Sequence, residues 1–561
     1  MRQTIKKAVL YKNAKIFTSD KDNLWADAML VADGRISWVG FEENMTGDSE
    51  AASLAKNAEI IDLGGHTVLP GFVDAHMHPI MLADYSTMIS ALPPEVNSIA
   101  ELTEKVAERR KAMTAEEAAR AARGELWIKG WGYDEGKFKE HRAPNRYDLD
   151  AGASDAPVLV HRTCAHVICV NSKALEIAGI TAETPDPEGG QIDRDENGEP
   201  TGVLRETAKN LIEPFLPVPS HDELVQQIVD LGKILEKQGV VAVSDMGLFD
   251  STDTYALLSD AAKAGFAQRT AVYYMWNYFF EHPPVVTDEM KDHNNQIFVA
   301  GVKTVGDGSL SGRTAWVYEP FLGGNDSGIC VCSDEVLESA IKFAKENKLQ
   351  LSMHAMGGRA IDRVIKRFEN EQSWLAGGSF DAGASAEAIP PHLRLEHLTE
   401  PTEYSIGEAI KKGYAFVTQP IFQYSEIESY LTNMGLERTR RAYPIRTMLE
   451  RGVNLALSTD APATSWATPS DPLPNIKAAV TRVAYDGTDY GPIAGIADER
   501  LTVEEAIYLY TRAGALILGM EDSGRLHKGA LADFLVLSED IFTVPAERID
   551  KIKIEAHMHN A

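Results

Sequence analysis

Eight short apolar runs separated by segments of helical periodicity predict an α/β chain built on a closed (β/α)8 barrel, the TIM barrel. They lie at 71–78, 239–246, 269–275, 298–305, 349–354, 393–397, 415–419 and 454–460. Turn-rich β-patterns at both chain ends predict a small composite β-sandwich. The long gap between the first and second runs predicts an inserted α+β subdomain. The expected boundaries are 1–69 with 521–561 for the sandwich, 70–125 with 219–520 for the barrel, and 126–218 for the insertion.

At the N-terminal end, 8–18 and 28–40 read as short strands, with a hairpin turn at Asp33-Gly34. Near the other end, 524–537 is a turn-rich lead into another strand, expected to pair with the first group. The first residues are basic, but the apolar stretch from Ala8 to Tyr11 is too short for a signal-peptide core. Nowhere does an apolar run approach the roughly 18 residues of a membrane helix.

The helices between the strands announce their starts. Ser98 with Glu101 is a capping box ahead of Ile99, Leu102, Val106 and Met113, and Ser220 with Glu223 repeats it ahead of Leu224, Ile228, Leu231 and Leu235. Within the insertion, 157–162 reads as a strand, Asn171 opens a short helix, and 189–198 is a Gly-rich hairpin. Insertions at the catalytic face of a barrel shape the substrate pocket.

With 561 residues, 44% of them hydrophobic, the chain can bury a large core. Acidic residues outnumber basic ones by 83 to 55, a formal charge of -28, which excludes nucleic acid as the expected partner. Four cysteines in so long a chain make no disulfide framework, as expected of a cytoplasmic protein. Cys330-Val331-Cys332 lacks the two-residue spacing of zinc or redox motifs and reads as structural.

The first barrel run ends in Asp74-Ala75-His76-Met77-His78-Pro79. Alternate side chains of a strand share a face, so His76 and His78 can grip one metal ion at the strand's C-terminal mouth, where parallel α/β folds carry their chemistry. The other mouths supply partners: Lys303 within the fourth run, His354 ending the fifth, His397 ending the sixth and Asp460 ending the eighth. Singly, each has an ordinary explanation, such as a snorkelling lysine, a core histidine or a helix cap. Together, in register with the His-X-His pair, they point to a metal centre. A second copy of the spacing, His557-Met558-His559, lies in the expected β-domain and reads as coincidence.

This pattern resembles the amidohydrolase superfamily. The segments 130–134, 171–175, 199–206, 303–308 and 501–506 resemble its amidohydrolase-3 branch, which includes N-substituted formamide deformylases. The resemblance implies that Lys303 is carboxylated by CO2 to a carbamate bridging two divalent ions. One ion is then held mostly by His76, His78 and Asp460, and the other by His354 and His397. Zn2+ suits these donors best, with Mn2+, Fe2+ or Co2+ as alternatives. The implied reaction is hydrolysis of an amide-like C–N bond in a small molecule, with Asp460 as general base and then acid. A homodimer is a further expectation of the branch.

Weaker signals remain open. His166 and Arg162 come from the insertion, where the branch implies a substrate-facing histidine and a structural role is equally available. Asp307 can line the site or form a turn, and Arg313 can clasp an anionic group. The aromatic stretch 273–280 reads as core or as the wall of a pocket for an apolar or aromatic substituent, with Trp131, Tyr424 and Trp466 as possible additions. The competing activities are hydrolysis of a cyclic amide or urea, and deamination of a heterocycle. Deaminases of the superfamily keep a glutamate just after the fifth-strand histidine, where this chain has Ala355-Met356-Gly357-Gly358. A non-catalytic metal-binding regulatory scaffold is the alternative outside enzymes.

Overall fold

A computed structural model describes residues 8–163, 167–375 and 390–558. Barrel strands β1 (Phe72–Met77), β2 (Val240–Asp245), β3 (Arg269–Met275), β4 (Ile297–Val305), β5 (Gln350–Ala355), β6 (Leu393–His397), β7 (Ala415–Thr418) and β8 (Asn454–Leu457) are neighbours in chain order, each pair parallel. They are buried almost throughout, which is why they read as unbroken apolar runs instead of alternating ones. Between β8 and β1 the ring is joined just past the end of β8. There Asp460 N donates to His76 O at 2.8 Å, and His78 N to Ala461 O at 2.8 Å.

Strands from both chain ends build two facing sheets. One runs Arg35–Gly40, Ala28–Ala32, Ala8–Lys12, Glu59–Asp62, and the other Ile554–Met558, Phe534–Leu537, Thr67–Pro70, Lys15–Phe17, Trp25–Ala26. Tyr11, Met29 and Ile36 of the first meet Ile16, Val68 and Phe534 of the second in one core, giving a β-sandwich. Asp33 and Gly34 take φ of 52° and 74°, the left-handed pair that a two-residue hairpin requires. Gly71 carries the chain from the sandwich into β1 so closely that a Cβ there would stand 2.3 Å from Val241.

A second compact unit comprises Met81–Gln227 with Ser465–Pro469. Its six-stranded sheet runs Gly190–Arg194, Pro200–Glu206, Val167–Val170, Val158–Arg162, Ile128–Tyr133, Ile89–Ser90. It begins earlier than the insertion expected at 126–218, because helix Ile99–Ala112 puts Ile99, Leu102 and Val106 into the core that holds Ile128, Val158 and Val160. Ser98 caps that helix, its hydroxyl accepting Glu101 N at 3.2 Å, while Glu101 turns its carboxylate to Asn97 N at 2.6 Å. At helix His221–Lys237 the capping box is reciprocal, Glu223 N on Ser220 Oγ at 3.3 Å and Ser220 N on Glu223 Oε2 at 2.8 Å. No helix among the described residues is long and apolar enough to cross a membrane.

Candidate metal centre

Four histidines meet at the barrel mouth, and each has one ring nitrogen tied to an acceptor. His76 Nδ1 lies 2.6 Å from Glu396 Oε2, His78 Nδ1 2.8 Å from Gly247 O, His397 Nδ1 2.9 Å from Gln419 Oε1, and His354 Nε2 3.0 Å from Gly308 O. A carbonyl or carboxylate oxygen can only accept, so each tied nitrogen carries the proton and the other keeps its lone pair. The Gln419 amide is oriented by its own donation from Nε2 to Ser458 Oγ at 2.8 Å. Metal-binding histidines carry this kind of outer support.

The free nitrogens of His76 and His78 converge on Asp460. Its Oδ1 stands 3.2 Å from His76 Nε2 and 3.5 Å from His78 Nε2, yet this buried oxygen has no hydrogen-bond partner among the described residues. A tetrahedral ion with bonds of about 2.0–2.1 Å holds its ligand atoms about 3.3 Å apart, so these spacings fit the edges of such a shell. Donor atoms of His76, His397 and Asp460 all fall within 4.8 Å of one another. Lys303 Nζ is 3.4 Å from His76 Nε2, and the His354 ring centre is 4.3 Å from that of His397. The structure thus brings together all six residues His76, His78, Lys303, His354, His397 and Asp460.

Burial sets the charges here. It pulls the Lys303 ammonium down to about 8, against the pull of Glu396 and Asp460. It also pushes His354, with Lys303 beside it, to about 4, and His397 well below the usual histidine value.

Two supports lie beneath the ligands. Asp74 accepts Tyr510 Oη at 2.8 Å, Thr459 Oγ1 at 2.6 Å and His76 N at 3.1 Å, tying β1 to the segment that carries Asp460. Burial raises its carboxyl to about 6 despite those donors. Arg394 and Glu396, two apart on β6, point into the barrel together. Arg394 Nε reaches Glu396 Oε1 at 2.6 Å, Ser352 Oγ donates to the same oxygen at 2.7 Å, and Arg394 Nη2 donates to Ala75 O at 2.6 Å. Against burial, Arg394 and His76 keep Glu396 ionised. The supporting roles of Arg394 and Glu396 were not anticipated from the sequence, although opposite charges at i and i+2 in a buried strand were the available signal. His397 and Asp460 have φ of 75° and 58°, left-handed values that are strained for side chains of this kind and recur at functional sites.

The weaker candidates among the described residues have partners of their own. Asp307 is buried, its carboxylate accepting Met356 N at 3.0 Å, Gly357 N at 2.9 Å and Trp316 N at 2.8 Å, with Oδ1 3.6 Å from His354 Nε2. Burial lifts it to about 7, and it acts as a clamp between loops. Arg313 lies over the Phe321 ring at 5.5 Å, and Tyr424 is buried in helix Ile421–Ser425. In the second unit, Trp131 packs edge-on against Tyr85 at 4.9 Å, and Arg162 Nε pairs with Glu135 at 2.9 Å. Trp466 is buried there. His166 lies outside the described residues. The 273–280 stretch is mostly core: Tyr273, Tyr274 and Trp276 are buried, and Tyr278 is exposed against Phe249. Phe249 itself stacks on His78 at 6.1 Å and Phe422 on His397 at 5.9 Å, contacts with no periodic signal in the sequence.

The profile described as "Amidohydrolase family" matches residues 59–560. The chain belongs to the amidohydrolase family. This amidohydrolase is 29% identical over 564 residues to YtcJ of Bacillus subtilis (strain 168), covering 97% of each chain. It is 27% identical to N-substituted formamide deformylase of Arthrobacter pascens, covering 94% of this chain and 93% of that one. Among solved structures, an uncharacterized metal-dependent hydrolase from Pyrococcus horikoshii OT3 superposes with a TM-score of 0.72 at 24% identity, over 96% of this chain and 99% of that one, and shows the shared fold. Membership of this family makes the chain a hydrolase.

Proposed function

We propose that the chain hydrolyses an amide-like C–N bond of a small molecule, with N-substituted formamides the leading substrate class. The observation that carries this reading is Asp460 Oδ1, buried and without a hydrogen-bond partner among the described residues, facing the lone-pair nitrogens of His76 and His78. Similarity along nearly the whole length of the Arthrobacter deformylase supports the choice of class.

When bound, two divalent ions, Zn2+ being best suited to these donors, supply acidification of a shared water and polarisation of a carbonyl. His76, His78 and Asp460 would hold one ion, and His354 through Nδ1 and His397 through Nε2 the other. Lys303, with its pKa near 8, keeps about one amine in ten uncharged at pH 7. That neutral nitrogen can add to the carbon of CO2 and lose a proton, so that a carbamate anion replaces a buried cation. Asp460 accepts a proton at its carboxylate and returns it to the leaving nitrogen. Phe249 and Phe422, flanking the histidines, offer apolar surface to a substituent.

The test is metal analysis after reconstitution with Zn2+ and bicarbonate, followed by product assays on formamides, acyl amides, hydantoins and lactams. The expected result is about two ions per chain and release of amine from formamides. Unchanged metal content in Lys303→Ala sinks the binuclear assignment. Turnover of hydantoins or lactams alone replaces the formamide reading with cyclic amide hydrolysis, and no turnover at all replaces it with a scaffold.

A further inference from the structure

Helix Gly358–Phe368 and the loops beside it line an open groove of about 720 Å³. Arg359, Arg363 and Lys366 lie along one wall, one helical face, and Trp316, Tyr318 and Tyr404 contribute the aromatic remainder. The volume falls within the range of small-molecule sites.

The pairing of its cations is unusual for this chain. Acids outnumber bases by 83 to 55, and nearby arginines are satisfied: Arg363 on Asp334 at 2.6 Å, Arg367 on Glu338 at 2.6 Å, Arg438 on Glu400 at 2.7 Å. Arg359 and Lys366, at the two ends of the wall, form no ion pair among the described residues. Asp362, between them, turns its oxygens to Thr402 Oγ1 at 2.6 Å and Tyr318 Oη at 3.0 Å. The Arg359 guanidinium is already placed, lying 5.5 Å over the Tyr318 ring.

The aromatic side is open and its floor is preformed. Tyr318 is 55% and Tyr404 38% exposed, which leaves ring surface open to an occupant. Trp316 is held through its backbone, its amide on Asp307 Oδ2 at 2.8 Å and its carbonyl taking Arg359 N at 3.1 Å. Glu369 lines the groove as well and disfavours a second negative charge on the occupant.

From this arrangement we infer that the groove binds a small aromatic monocarboxylate, its ring against Tyr318 and Tyr404 and its carboxylate on Arg359 with support from Lys366.

The test is calorimetric titration of the zinc-loaded enzyme with 1-naphthoate, its neutral isostere 1-naphthamide, and the variants Arg359→Met/Lys366→Met and Lys366→Glu. The expected result is saturable binding of naphthoate, weakened about tenfold or more by the double variant and by loss of the carboxylate. Lys366→Glu weakens it too, and circular dichroism shows both variants folded. Absence of saturable binding up to about 10 mM overturns the proposal. So does equal binding of the amide, or unchanged affinity in the double variant, which places the carboxylate on the metal centre instead.

Discussion

Glu396→Gln isolates what holds His76 in place. The substitution keeps the shape and removes one charge from a site where Glu396 accepts from His76 Nδ1 at 2.6 Å, Ser352 Oγ at 2.7 Å and Arg394 Nε at 2.6 Å. If the new amide keeps its oxygen toward Arg394 and Ser352, its NH2 faces His76, whose Nδ1 must then accept, moving the ring proton to Nε2 and closing the metal-facing lone pair. If it turns over, NH2 confronts two donors. Either way a fully buried Arg394 loses its counter-ion, a change that costs about 3–5 kcal/mol, and loss of such support to a ligand costs about 10–100-fold in metal affinity. Chelator competition reads the affinity and urea unfolding the stability. Replacing both partners, Arg394→Met/Glu396→Met, separates the two effects: stability recovers relative to the single variant because no buried charge is left alone, while metal affinity stays low. Wild-type affinity within about twofold in Glu396→Gln, or recovery of affinity in the double variant, refutes the reasoning.

Asp460→Asn removes the proton acceptor and lowers turnover of a cleaved substrate by about 10²–10⁴-fold, read in steady-state kinetics. Activation of metal-free enzyme by Zn2+ at a fixed concentration of dissolved CO2 depends on uncharged Lys303, whose lowered pKa of about 8 makes the activation rate rise as pH increases from 6 and level off above 8. A flat profile, followed by activity after fixed incubation, counts against the carbamate. Asp74→Ala strands the Tyr510 and Thr459 hydroxyls and costs about 2–5 kcal/mol by denaturant unfolding.

Much of this architecture can be read directly because its causes are local. Barrel strands buried on both faces are continuous apolar runs, Asp33-Gly34 is a turn by its backbone preferences, and Ser220 with Glu223 marks a helix start. The six candidate ligands could be collected because each sits in the last residues of a run. What escaped the sequence is non-local. Asp307 looks like a turn residue, yet it gathers amides from Trp316, Met356 and Gly357, and nothing in its neighbours encodes those partners. Glu396 was visible only as the residue before His397, with its partners Ser352 and His76 on other strands. Phe249 and Phe422 stand on segments without periodicity, so their stacking on His78 and His397 depended on the three-dimensional arrangement.

The joint between β8 and β1 has a mechanical meaning. Seven of the eight joins around the barrel are ladders of paired strands, whereas the last is made by Asp460 N on His76 O and His78 N on Ala461 O, with Asp74 bracing them. The side chains at this joint belong to the candidate ligands themselves, so an ion shared by His76, His78 and Asp460 would act as a clasp on a hoop. Without that ion, the hoop would have its weakest stave at the candidate metal centre. Ion binding would then reinforce a joint that two backbone hydrogen bonds already make, and a chain without metal would open there first to proteases.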